Sequence, residues 1–238
     1  DRYVDVLYGS ALESLGIPSI IARCHRYVVD LNRLPDDFDE TAVEGGSQAG
    51  GRFRSGIHWV KTSKDHVLLK SPMSLTAHRR LIDRYFLPFH RRLRDQAQDL
   101  RQRGASEIFH IDAHSMPSKG EAMHRDEGGK RADIVVSDFL GKSSSTWFKD
   151  LVIRAYEQAE FEVAYNWPYI GGRITEVYGR PEERHHTIQV ELNRALYMDE
   201  NTKRLVPEKA KQVQIRLKDA LTMIWKELPE ITTRGNFG

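Results

Sequence analysis

From Ser74 onward this chain alternates segments of helical period with short, β-branched apolar runs, and that alternation limits the folds open to it. Leu75, Leu81, Ile82, Tyr85, Phe86, Phe89, Leu93, Ala97 and Leu100 keep helical spacing across 74–103. N-cap candidates lie in SLTAH, Gly104 supplies a stop and a kink is expected at Pro88. EIFHID (107–112), ADIVVSD (132–138) and FEVAYN (161–166) read as strands. An amphipathic helix fills 145–160, TIQVELNRALYM (187–198) opens as a strand, and 207–228 is a final helix. Upstream, Val4, Leu7, Tyr8 and Leu12 give residues 2–15 a helical spacing, and the runs 18–22 and 27–31 read as two more strands. Residues 35–72, with EGGSQAGGRFRSG inside them, and residues 169–186 read as polar, Gly-bearing loops. The pattern predicts an α/β fold, a three-layer α/β/α arrangement around a mixed, mostly parallel sheet. No repeat or linker interrupts it, so residues 1–238 are expected to form a single domain. The chain opens without Met in what reads as mid-helix, and an N-terminal segment is expected to precede Asp1.

Charge narrows the partners. A net charge of +2 gives no reason to expect nucleic acid, and the basic run over 78–96 reads as a solvated helix face. The lone Cys24 cannot form an internal disulfide, which points to a reducing, cytoplasmic setting. No apolar run approaches the ~20 residues that cross a bilayer, so no membrane partner is expected.

Four polar clusters fall at the ends of the expected strands: RYVVDLNR (26–33), Asp112 with His114, VVSD (135–138) and QVELNR (189–194). Strand ends are where open α/β sheets carry their chemistry. In TIQVELN, alternation puts Ile188, Val190 and Leu192 on one face and Gln189, Glu191 and Asn193 on the other. Glu191 is then either on the wet face of an edge strand or a carboxylate in a water-poor cleft, able to serve as a base. His114 is a hydrogen-bonded structural residue or a metal ligand, with Asp112 placed to hold its tautomer. Asn32-Arg33 is a surface turn or a fork for a substrate carboxylate. No HxxE or HExxH pair occurs, so spacing alone gives only a weak metal signal.

In order, RYVVDLNR, DAHS, GGRITEVYGRP and IQVELNRALYMDE resemble the N-formylglutamate amidohydrolase family, from Asp1 to about Glu200. The resemblance implies a zinc-carboxypeptidase-like fold, related also to aspartoacylase, and an enzyme that hydrolyses N-formylglutamate to formate and glutamate in histidine degradation. It implies one Zn2+ ion, with His114 as a ligand and an acidic ligand from DRYVD, either Asp1 or Asp5. Glu191 corresponds to the carboxylate that activates the attacking water, and Arg26 to the group that polarises the scissile carbonyl. Asn32 and Arg33 correspond to the pair that holds a substrate carboxylate, and Arg173 or Arg180 is expected at the second carboxylate. The implied partner is a small anionic acyl-amino acid.

The sequence also departs from the family. A Pro-His-Ser-Gly type segment, which carries the first ligand, would lie before Asp1. Arg173 stands where the family has a GGYIT pattern, and the 43–56 loop lacks the usual prolines. Three alternatives therefore stand beside the main reading. One is a metallo-carboxypeptidase or deacylase acting on another acyl amino acid or peptide. Another is a non-catalytic binding protein with an incomplete site. The third is nucleic-acid binding through the basic helix of 78–103.

Overall fold

A computed structural model of the chain describes residues 1–46, 56–122 and 124–229. In chain order the elements are α1 (Val4–Leu15), α2 (Leu75–Leu81), α3 (Leu87–Gln102), β1 (Ile108–Met116), β2 (Ile134–Ser137), α4 (Thr146–Gln158), β3 (Val163–Tyr165), α5 (Arg173–Tyr178), β4 (His185–Asn193), β5 (Met198–Asp199), β6 (Arg204–Leu205) and α6 (Pro207–Glu227). Contacts gather the chain into two compact units, Asp1–Ser19 with Leu100–Gly238, and Ile20–Asp99.

The larger unit is built on a sheet of order β1-β4-β2-β3. β1 runs parallel to β4 and β2 parallel to β3, while β2 and β4 are antiparallel, so the sheet is mixed and mostly parallel as predicted. Period-two alternation sorts β4 into two faces. Ile188, Val190 and Leu192 join Ile134 and Val136 and pack against Leu7 and Ala11 of α1, Phe148, Leu151 and Val152 of α4, and Val213, Leu217 and Leu221 of α6. Side chains of this size stabilise by roughly 1.5–3 kcal/mol each when fully buried, so this face anchors the sheet. α4 starts where Ser145 accepts a hydrogen bond from the Phe148 amide, which satisfies one of the free N–H groups of its first turn. The short α5 lies on the opposite, polar face, where the Gly172 amide donates to Gln189 Oε1 at 2.8 Å. Helices therefore cover both sides of the sheet, giving the expected α/β layering.

In the smaller unit, α2 and α3 are joined by a single π-helical stretch, Ile82–Phe86, rather than by a sharp kink. Pro88 explains it. Proline has no N–H, and its ring collides with the carbonyl four residues back, so the preceding turn widens and the Leu87 amide reaches Ile82 O instead. Ile82 and Phe86 then pack with Val29, Leu31 and Ile57.

Two expectations fail here. Runs 18–22 and 27–31 are not strands. The backbone around residues 28–31 is held by scattered partners instead of a ladder: the Asp30 amide donates to Ile57 O at 2.8 Å, and the Val28 and Leu31 carbonyls bond to His58 and His90. Within 169–186, the polar composition conceals α5, a 3-10 turn at Pro181–Glu183 and the first residues of β4. Of the expected 35–72 loop, residues 47–55 lie outside the described residues. Among the described residues, no helix is long and apolar enough to cross a membrane.

Candidate active site

The parallel register of β1 and β4 sets His114 opposite Glu191 and Asp112 opposite Gln189. Facing residues of neighbouring strands sit about 4.8 Å apart and project to the same side. Phe109, Ile111 and Ala113 pack toward the apolar core, which leaves His110, Asp112 and His114 on the polar face with Gln189 and Glu191. β4 is an interior strand and Glu191 is only 7% exposed, so the edge-strand reading of this carboxylate is excluded.

Both nitrogens of His114 face carboxylates. Nε2 lies 3.0 Å from Asp112 Oδ2, and Nδ1 lies 3.1 Å from Asp1 Oδ2. Asp1 is fixed by its other oxygen, which accepts from the Ser115 amide at 2.9 Å. Arg194 clamps the same strand end through Ser115 Oγ and O, and the Tyr197 hydroxyl donates to Arg2 O at 3.0 Å. Asp5 sits exposed in the first turn of α1. Of the two expected acidic residues, Asp1 is the one the structure brings to His114.

Glu191 Oε1 accepts from Gln189 Nε2 at 3.0 Å, and Gln189 is in turn oriented by the Gly172 amide. Gly171, with φ of 109, allows the turn that delivers this amide. Tyr169 joins the face from the same segment, its carbonyl held by Ser137 Oγ at 2.9 Å. Arg173 pairs with Glu176 at 2.5 Å on α5. The Arg180 guanidinium donates to the carbonyls of Glu176 and Gly179, which ties it to the end of that helix.

The remaining expected residues cluster in the smaller unit around Asp30, which is 1% exposed. Burial pushes this carboxyl up. The Arg26 and Arg33 charges and the hydrogen bonds from Trp59 Nε1 and the Asn32 amide overcome it and hold it down at about 2. Arg26 also stacks over the Trp59 indole, and Arg33 donates to Asn32 O at 2.7 Å. Asn32 is buried.

For a metal ion, the donor set near His114 is the place to test. When Nε2–H serves Asp112, the other ring nitrogen and the Asp1 carboxylate turn lone pairs toward each other across 3.1 Å, an arrangement that needs a proton or a cation between them. Imidazole and carboxylate are zinc ligands by type. Among the described residues no group of three His, Cys, Asp or Glu side chains is gathered in a way that could hold a metal, so His114 and Asp1 by themselves do not complete a site.

A mixed sheet covered on both sides, with a buried glutamate beside a carboxylate-flanked imidazole on its polar face, is the framework of an α/β enzyme. The comparisons with known proteins narrow the class. The chain belongs to the N-formylglutamate amidohydrolase family, whose model matches residues 1–198. It is 27% identical to an N-formylglutamate deformylase of Pseudomonas putida over 203 residues, covering 84% of this chain and 71% of that protein. It is 28% identical over 205 residues to the N-formylglutamate deformylase of Pseudomonas aeruginosa, with the same coverage of 84% and 71%. Its structure is similar to a crystal structure of N-formylglutamate amidohydrolase from Ralstonia eutropha JMP134, with a TM-score of 0.77 at 26% identity, covering 93% of this chain and 81% of that one.

Gln189, two residues before Glu191 on the same face, was open to the alternation argument. Tyr169, Arg194 and Tyr197 carry no local signal; only the folded chain brings them to the polar face and its strand end.

Proposed function

We propose that this enzyme hydrolyses the C–N amide bond of N-formylglutamate, giving formate and glutamate, or that of a similar anionic N-acyl amino acid, giving the corresponding carboxylate and the amino acid. The observation that carries this reading is the buried Glu191 carboxylate set directly across the β1–β4 ladder from His114. Family membership and the deformylase relatives support the substrate class.

In this reading Glu191 takes the proton of the attacking water and returns it to the leaving amine. Gln189 keeps one Glu191 oxygen occupied, so the carboxylate works through the other. His114 and Asp1 would hold a zinc ion, with Asp112 fixing the imidazole tautomer. Zinc when bound supplies Lewis acidity and a water of lowered pKa. Arg26 stabilises the oxyanion, Asn32 and Arg33 bind a substrate carboxylate, and Arg173 is the candidate for a second one. The carboxypeptidase-like ancestry, the histidine-degradation role and a cytoplasmic location, the last in keeping with the lone Cys24, belong to the same reading.

Glu191→Gln is expected to abolish formate release from N-formylglutamate by the zinc-loaded protein while leaving its zinc content unchanged. Near-normal turnover by that variant defeats the base assignment. A panel of N-acyl amino acids and short peptides, assayed with the wild-type protein, decides between the formyl substrate and its relatives.

A further inference from the structure

Arg131 lies in the connection between β1 and β2 and outside the four polar clusters above, yet it is only 4% exposed. Its guanidinium grips Asp126 with two parallel bonds, Nε to Oδ2 at 2.7 Å and one terminal nitrogen to Oδ1 at 2.8 Å. The other terminal nitrogen donates to the Tyr169 hydroxyl at 2.8 Å and to Pro117 O at 3.2 Å. The guanidinium also lies 5.0 Å from the centre of the Tyr169 ring. Tyr169 is anchored a second time, through its carbonyl, to Ser137, and Ser137 is opposite Gln189 in the sheet register. Burial, with the Glu191 charge second, holds the Tyr169 phenol well above the usual tyrosine range, so the hydroxyl keeps its proton. A phenol oxygen that already accepts from a guanidinium has its own O–H left to donate.

We propose that Arg131 is a positioning residue for the Glu191 chemistry: locked by Asp126, it fixes the Tyr169 hydroxyl beside the glutamate on the polar face of the sheet. This rests on the reading of Glu191 as the base. A bidentate fork neutralised by a buried carboxylate can orient a phenol without adding net charge near Glu191. A lysine at the same position keeps the charge and loses the fork.

The test is a double-mutant cycle on N-formylglutamate hydrolysis. Arg131→Lys is expected to lower kcat roughly ten- to a hundredfold, the range of a lost charged hydrogen bond, with KM within about threefold. Tyr169→Phe should do the same, and the double variant should be no slower than Tyr169→Phe alone. Losses that multiply in the double variant overturn the proposal. Should Arg131→Lys fail to fold, Asp126→Asn, which leaves the guanidinium in place but unlocked, carries the same cycle.

A second readout needs no turnover. With 3-fluorotyrosine incorporated, the 19F resonance that Tyr169→Phe deletes is expected to shift on Glu191→Gln, and that shift should vanish when Arg131 is Lys. A resonance indifferent to Glu191, or a response that persists without Arg131, overturns the proposal. Absence of wild-type turnover on the whole N-acyl panel defeats the functional reading instead, and the fluorine measurement then decides the clamp by itself.

Discussion

Acid should loosen the smaller unit through one buried histidine pair. His58 Nδ1 lies 3.3 Å from Val28 O, and a carbonyl can only accept, so Nδ1 carries the proton. His58 Nε2 then accepts from His78 Nδ1, 2.9 Å away. Protonating His58 on Nε2 would set two donors face to face. Burial, with the neighbouring His78 charge second, pushes His58 from its ordinary 6.5 down to about 4, against the Val28 bond. The unfolded chain therefore binds a proton that the folded one refuses, and stability falls as pH drops from about 6.5 to about 4 and levels off below. Between pH 7 and pH 5 this single group should remove about 2 kcal/mol. The assay is urea unfolding at both pH values for the wild type and His58→Gln, which can still bond to Val28 O but cannot titrate. His185, also held at about 4, keeps its own share in both proteins. The variant should therefore lose about 2 kcal/mol less than the wild type on acidification. Equal losses in the two proteins would refute the reasoning. His58 supports the backbone of 26–33, so hydrogen exchange of that segment should quicken in the same pH window.

Other outcomes follow from the same geometry. His114→Ala should lower the zinc content measured by metal analysis, and an unchanged stoichiometry would rule His114 out as a zinc ligand. Gln189→Leu leaves the Gly172 amide and one Glu191 oxygen without their partner, so kcat/KM should fall by about tenfold or more, with the fold retained by circular dichroism. The buried Tyr8 and Tyr156 hydroxyls share a 2.9 Å bond inside the core. Tyr8→Phe or Tyr156→Phe alone should each cost about 1–2 kcal/mol in urea unfolding, and the double variant less than their sum, because no hydroxyl is then left stranded.

The longer strands and helices after Ser74 were legible because each follows one periodicity over enough residues to be read: TIQVELN alternates, and 74–103 keeps its helical stripe even through Pro88, whereas the six-residue α5 is too short to show one. The 17–46 stretch was not, since VVDLN looks like a strand while its backbone partners are His58, His90 and Ile57, which sequence neighbours cannot reveal. The same division runs through the candidate site. Sequence alone supplied Glu191, His114 and Asp112 as polar groups on their strands, and Asp1 as one of two acids that could join them. It could not say which strand lies beside which, since pairing is a long-range choice made by burial of the opposite, apolar face. Only the tertiary structure put β4 in the interior of the sheet against β1 in the register that faces Glu191 with His114. The same packing brought Asp1 rather than Asp5 to His114 and joined Arg131 to the Tyr169 hydroxyl from separate loops.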